Sequence, residues 1–279
     1  MSNHPDEKIA YLKTRAKEIR TEVVKMIHKA QTGHPGGSLS AADIMSVLYF
    51  DELTIRPDDP KWEDRDRFIL SKGHACPVWY ACLALRGFIP FETLGTLRQL
   101  GSPLQGHPVM TKCPGVDATA GSLGIGFGMA VGMALEAKMT GKTYRVYAIL
   151  GDGEVQEGIV YEAAQSASKF GLDNMVMIID NNRLQNDGFT QDIIPVESLD
   201  ERFQSLGWET KRINGHIIEE ILEAFADARK ARGKPFCIIA DTVKGKGVSF
   251  MENIREWHGR PPSDEQCEQA LSEIRGGSC

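Results

Sequence analysis

Residues 144–158 read Tyr-Arg-Val-Tyr-Ala-Ile-Leu-Gly-Asp-Gly-Glu-Val-Gln-Glu-Gly, a run of strand length that ends in a Gly-Asp-Gly-Glu turn, with a helical pattern over 157–170 that carries Glu157. Two more apolar runs of strand length lie at 175–180 and 236–241, and amphipathic helical stretches lie between them at 199–206 and 217–232. Strand alternating with helix in this way predicts an α/β fold, a parallel β-sheet with helices on both faces. The carboxyl ends of parallel strands form the ligand-binding edge of such a sheet, and a Gly-rich turn there offers backbone N–H groups and a helix N-terminus to a phosphate. Asp-Gly is also a hairpin turn, but the helical periodicity after it argues against a hairpin here.

The next strand, Met-Val-Met-Ile-Ile-Asp, runs into Asn181-Asn182-Arg183-Leu184-Gln185. Its end should lie at the same edge beside Asp152. Magnesium takes oxygen ligands in octahedral geometry and keeps phosphate oxygens and water in its shell. The Asp152 carboxylate, the Asn182 amide oxygen and the Leu184 carbonyl could supply three such ligands.

Working outward, residues 6–31 carry an apolar stripe at Ile9, Leu12, Ala16, Ile19, Val23, Met26 and Ile27, a helix stopped by Gly33-His34-Pro35-Gly36-Gly37. A second helix is expected from an N-cap at Ser40 to about Asp51, a short strand at 67–70, two or three short helices over 77–105, and a helix over 124–139. Met129, Met133 and Met139 read as core fillers. One domain is expected over 1–262, with 263–279 a loose tail.

With 279 residues, 42% hydrophobic and 25% charged, the chain has the composition of a soluble globular protein. A formal charge of −6 leaves no basic excess for neutralising a nucleic-acid backbone. Six cysteines (Cys76, Cys82, Cys113, Cys237, Cys267, Cys279) show no C-x-x-C pair and fit free thiols. The N-terminus lacks the apolar core of a signal peptide, and no run approaches the ~20 apolar residues of a membrane helix. The expectation is a cytoplasmic protein without nucleic-acid or membrane partners.

Gly151-Asp152-Gly153 followed by Asn181-Asn182 resembles the G-D-G…N-N signature of thiamine-diphosphate enzymes, and the resemblance over nearly the whole chain is to transketolases. Gly33-His34-Pro35-Gly36-Gly37, Ser71-Lys72-Gly73-His74-Ala75, Gly106-His107-Pro108, Gly121-Ser122-Leu123-Gly124, Lys244-Gly245-Lys246-Gly247 and Trp257-His258-Gly259 stand in the family's order. The resemblance implies the thiamine-diphosphate-binding fold, a PP-type domain, with Asp152, Asn182 and Leu184 holding Mg2+ or another divalent cation such as Ca2+. It implies cofactor contacts from Gly37, His74, Gly121, Ser122, Leu123, Gly151, Gly153, Glu154, Asn182, Lys244 and His258. It also implies His34, His107 and His258 as catalytic, the same three with Lys72 as substrate-binding, and Glu157 in a buried acid network that links paired active sites. An imidazole in a Gly/Pro-rich loop can donate to a developing oxyanion or move a proton near neutral pH, as ketol transfer requires. His28, within the first helix, and His216, after a strand, read as structural.

In full-length transketolases two further domains follow, and the second normally brings the glutamate that activates the aminopyrimidine. The expectation is therefore the N-terminal subunit of a two-chain transketolase, inert alone, that works with a C-terminal subunit bearing the pyrimidine-binding domain, as an α2β2 heterotetramer acting on sugar phosphates in the pentose phosphate pathway. Three other readings compete: a variant for a sulfosugar or branched-sugar phosphate, the α subunit of a 2-oxo acid dehydrogenase, and a noncatalytic paralogue. The Gly-His-Pro-Gly-Gly, Ser-Lys-Gly-His and Trp-His-Gly elements argue against the second, and the intact Asp152, Asn182 and loop histidines against the third.

Overall fold

The computed structural model describes residues 5–276. It forms one sheet from β1 (Arg67–Leu70), β2 (Val146–Gly151), β3 (Met175–Asn181), β4 (Glu209–Asn214) and β5 (Phe236–Asp241). The strand order is β1-β2-β3-β5-β4, and every neighbouring pair is parallel. β2, β3 and β5 are buried along nearly their whole length because helices cover both faces, which is why they read as unbroken apolar runs. Tyr147, Ile149, Val176, Ile178 and Ile238 enter one core layer, and Val146, Ala148, Leu150, Met177 and Ile239 the other, the period of two of a pleated strand. β4 lacks such a run because its faces are only partly covered, with Ile213 its one buried residue, whereas β1 at the other edge buries Phe68, Ile69 and Leu70.

The helices in chain order are α1 (Asp6–Ala30), α2 (Pro35–Ser40), α3 (Ala42–Val47), α4 (Cys76–Arg86), α5 (Ile125–Thr140), α6 (Gly158–Lys169), α7 (Thr190–Ile193), α8 (Leu199–Ser205), α9 (Ile218–Lys230) and α10 (Asp264–Gly276). Residues of α1, α3, α4, α9 and α10 build the first core layer, and residues of α5, α6 and α8 the second. The apolar stripe expected of α1 is buried in full. Among the described residues no helix is long and apolar enough to cross a membrane.

Four expectations need correction. Ser40 does not cap a second helix: it is the last residue of α2, Ala41 leads into α3, and a wider turn over Leu48–Glu52 follows. Its hydroxyl instead donates to the Asp180 carboxylate at 2.6 Å. The Gly-Asp-Gly turn does not enter the helix directly, because a tight 3-10 turn, Gly153–Gln156, intervenes and Glu157 becomes the N-cap of α6. Residues 264–276 are no loose tail but the helix α10, which buries Cys267, Ala270 and Ile274 against α1. Asp264 meets His28 Nε2 at 2.8 Å, and Glu273 accepts the Ser249 N–H at 2.6 Å, so that helix is also tied at both ends. Met139 is exposed on the last turn of α5, whereas Met129 and Met133 pack against the core as expected. Cys279 lies outside the described residues.

Candidate functional site

Because all strands run the same way, their carboxyl ends gather at one edge, and four of the five connections there deliver a residue expected at the site. β1 leads into Lys72 and a 3-10 turn with His74, β2 into Asp152, β3 into Asn182 and Leu184, and β5 into Lys244. Gly151 stands opposite Asp180 in the β2–β3 register, and the Asp152 N–H donates to the Asp180 carbonyl at 3.3 Å. Asp152 and Asn182 therefore leave adjacent strand tips side by side. The Asp152 carboxylate accepts the Gly153 N–H at 2.8 Å and the Arg183 N–H, stapling the two tips together. Asn182 Oδ1 accepts the Leu184 N–H at 3.1 Å.

Positive charge is in demand at this rim. Burial first, and then the neighbouring Asp180 charge, push the Asp152 carboxyl up to about 6. The Lys244 ammonium reaches the Leu184 carbonyl at 2.5 Å and also meets His258 Nδ1 at 2.8 Å. Its own burial lowers it to about 8. A buried carboxylate, an amide oxygen and a main-chain carbonyl already approached by a cation are a donor set that fits a hard divalent ion. Among the described residues no group of three or more His, Cys, Asp or Glu is arranged to hold a metal.

Beside the oxygen set stand three imidazoles. Ring centroids of His34 and His74 are 5.1 Å apart, His34 and His258 5.4 Å, His74 and His258 5.2 Å. His107 joins them from the loop 106–108. A Cβ added to Gly73 would lie 2.7 Å from the Ala120 carbonyl oxygen and 3.4 Å from His107 Cδ2, so two loops close on the 71–75 turn only because residue 73 has no side chain. The loop that carries Ala120 brings Gly121, Ser122 and Leu123 to the rim, the first two exposed. Gly37 lies behind His74, with its missing Cβ 3.9 Å from His74 Nε2. Gly151 and Gly153 line the floor beside Lys72 and Gln185.

Burial lowers His34 to about 4 and His258 to about 3, helped by the charge of Arg98 at the first and of Lys244 at the second. His74 is held well below its ordinary value for the same reason, and His107 is lowered too, with Arg98 as its neighbour. At neutral pH the cluster is uncharged, each ring able to donate from one nitrogen and accept at the other. His34 Nδ1 is buried with no hydrogen-bond partner, an orphan that a ligand's donor or acceptor would satisfy.

A pH dependence follows with a definite sign. An imidazole whose folded pKa lies below its unfolded value binds a proton on unfolding, so its contribution is complete above the ordinary value of 6.5 and is lost as pH falls toward 4. The raised Asp152 carboxyl works the opposite way and offsets part of that loss between 6 and 4. Thermal melts from pH 7.5 to 4.5 are expected to show the midpoint falling below pH 6.5. A flat profile would mean that the rings are not held neutral.

Two expected site residues are engaged within the wall of the rim, and a third stands open. Lys72, assigned to substrate, is 2% exposed, and its ammonium is engaged by the Asp180 carboxylate and by the Gly37 carbonyl at 3.0 Å. Glu154, assigned to the cofactor, accepts from Ser71 Oγ at 2.5 Å, the Gly124 N–H at 2.7 Å and the Gly151 N–H at 3.1 Å, and so ties three turns of the rim together. Glu157, assigned to a buried acid network, is exposed in this single chain, beside exposed Gly158 and Ile159.

The structure adds residues that the motifs did not mark. Asp180 sits at the heart of the wall, receiving Lys72, Ser40 Oγ, Thr242 Oγ1 and Asn182 Nδ2. Its signal was a carboxylate ending a strand otherwise wholly apolar, a charge that burial obliges to find a partner. Arg98 enters by fold alone: its guanidinium donates to Thr32 Oγ1 at 3.0 Å and presses on Gly106.

Comparison with known proteins places these features in a family. The family described as "Transketolase, thiamine diphosphate binding domain" matches residues 12–275. The chain is 42% identical over 263 residues to one of the subunits of the apulose-4-phosphate transketolase of Phocaeicola vulgatus, covering 94% of this chain and 93% of that one. It is also 42% identical over 263 residues to the "6-deoxy-6-sulfo-D-fructose transketolase subunit SqwG" of a Clostridium species, covering 94% and 96%. The crystal structure of transketolase from Campylobacter jejuni superposes with a TM-score of 0.92 at 37% identity, over 96% of this chain but 43% of that longer one.

Proposed function

The chain belongs to the transketolase family, and from that membership we propose that it is the cofactor-holding subunit of a two-chain transketolase, moving a two-carbon ketol unit from a ketose phosphate to an aldose phosphate. The observation that carries this reading is the meeting, at one sheet edge, of the Asp152–Asn182–Leu184 oxygen set, Lys244 and the neutral histidines.

Thiamine diphosphate, when bound, supplies the carbon that takes up the two-carbon unit. The task of this chain is to grip and to protonate. Asp152, Asn182 and the Leu184 carbonyl would hold a divalent ion, Mg2+ in the first instance, against the diphosphate. Lys244 adds a buried positive charge there, and His74 a neutral donor. His34, His107 and His258 face the mouth, where a neutral ring can bind a substrate hydroxyl or hand a proton to a developing oxyanion. Burial, helped by the nearby Arg98 charge, keeps His34 and His107 uncharged and so available as acceptors.

The remaining half of the site would come from a partner subunit with the pyrimidine-binding domain, two copies of each chain making the assembly. Relatives named as subunits, matched over more than nine-tenths of their length, support the division into two chains. The exposed strip of Glu157, Gly158 and Ile159 is where a further chain would cover the acid that is open here. A reducing cytoplasm suits the five described cysteines, all free and buried.

The test is reconstitution. With its partner, Mg2+ and thiamine diphosphate, the chain should transfer ketol units from at least one member of a panel of ketose phosphates, apulose 4-phosphate and 6-deoxy-6-sulfofructose. Alone it should do so at least about 1000-fold more slowly, since half of the transition-state contacts are missing. Full activity of the isolated chain would overturn the split-site reading.

A further inference from the structure

His216 follows β4, the edge strand whose connection contributes nothing to the histidine cluster, yet it is bonded at both nitrogens. The Val243 N–H donates to His216 Nε2 at 2.8 Å, so Nε2 is the bare nitrogen and Nδ1 carries the hydrogen, which it donates to Asp43 Oδ2 at 2.8 Å. Asp43, on α3, also receives two guanidinium nitrogens of Arg20 from α1, at 2.9 and 2.5 Å. Burial opposes the Asp43 charge, but Arg20 and the His216 bond outweigh it and hold the carboxyl at about 2. The carboxylate is thus permanent at working pH, and it fixes which nitrogen of His216 is left to accept.

Arg20 completes a second tether, its Nε donating to the Lys246 carbonyl at 3.1 Å. The strap from Val243 to Lys246 is consequently held at both ends by one buried cluster, the Val243 N–H through His216 and the Lys246 C=O through Arg20, with Asp43 orienting both. Between those ends the Gly245 N–H donates to the Gly36 carbonyl at 3.0 Å. Gly245 has φ +82°, and a Cβ there would meet the Met251 carbonyl oxygen at 2.4 Å, so the strap follows a tight path open only to glycine at this position. The Lys244 side chain leaves this strap for the Leu184 carbonyl and His258.

We propose that His216 is a positioning residue for the cofactor site: its locked acceptor nitrogen fixes the backbone at Val243 and so aims the Lys244 ammonium into the cleft. The inference rests on the reading of that cleft as a diphosphate site, and its test separates the two. His216→Asn puts an amide where Nδ1 was, keeping the Asp43 contact and losing the acceptor for Val243. His216→Gln puts an acceptor where Nε2 was and keeps the Val243 bond.

Two measurements are made on the full chain. Hydrogen exchange of the amides at 242–247, without cofactor, should quicken about tenfold in the Asn variant and stay at the parent rate in the Gln variant, the scale expected for loss of one buried hydrogen bond. With the partner chain and Mg2+ present, thiamine diphosphate affinity should fall about tenfold for Asn and stay close to the parent for Gln. If both variants shift the melting midpoint but leave the exchange at 243 and the affinity unchanged, or if Gln loses as much as Asn, the positioning role is wrong and His216 is only a packing residue. If the parent binds no thiamine diphosphate, the cofactor reading fails by itself, while the exchange result still decides the tether.

Discussion

Replacing Asp152 with Ala should abolish magnesium-dependent binding of thiamine diphosphate to the reconstituted enzyme, a loss of at least about 100-fold, with little change in the stability of the chain without cofactor. The first half follows from chemistry: a hard ion that loses its sole carboxylate from the protein is left with one amide and one carbonyl, both neutral. The second half follows from opposing magnitudes. A carboxyl moved from 3.8 to about 6 by burial and by Asp180 costs the folded state about 3 kcal/mol at pH 7, a cost relieved as pH drops below 6. Against this, the Ala variant orphans the Gly153 and Arg183 N–H groups, at roughly 1–3 kcal/mol each. The two nearly cancel, so binding and stability separate. Calorimetric titration of the cofactor with and without EDTA, beside melts of the apo chain, measures both. Metal-dependent affinity equal to the parent's would remove Asp152 from the ligand set.

The other large effect is expected at Lys72, through stability and not through substrate. Its ammonium and the Asp180 carboxylate are 3% and 0% exposed. Burial works to raise Asp180, but the Lys72 charge, with bonds from Lys72, Ser40 and Thr242, outweighs it and leaves the carboxyl below its usual value. Asp180 therefore stabilises the fold above its unfolded pKa and ceases to do so as pH falls through the folded one. Lys72→Met strands that charge, and breaking a buried pair from one side costs about 3–5 kcal/mol. The midpoint should fall by roughly 10 °C for a chain of this size. The double variant Lys72→Met/Asp180→Asn should recover more than half of the loss, because no lone charge is left. Denaturant melts of the three proteins give the coupling directly. A single variant within about 1 kcal/mol of the parent would mean that the pair is not the wall's main tie.

Much of this is legible in the sequence. β2, β3 and β5 announce themselves because a strand covered on both faces must be apolar throughout, and the loops at their ends carry the Gly-rich, polar signals of a rim. Local sequence could not show what depends on who sits opposite. β4 is polar because its faces are left partly open, unlike those of β1 at the other edge. α10 is polar because only a narrow stripe of it, Cys267, Ala270, Ile274 and the partly buried Leu271, meets the core. Lys72 reads as a basic residue in a motif, and only the fold reveals Asp180 108 positions further on as its partner. His216 looks like filler for the same reason, since its two partners lie 173 and 27 positions away.

The parallel sheet has one more implication. Since each strand tip offers its own connection to the rim, the grip is distributed over separately editable straps on a stiff frame. A connection can be lengthened or resequenced to suit a differently shaped sugar while the other tips stay in register. The frame is thus a chassis for divergence, in which specificity can wander and the hold on the diphosphate stays put.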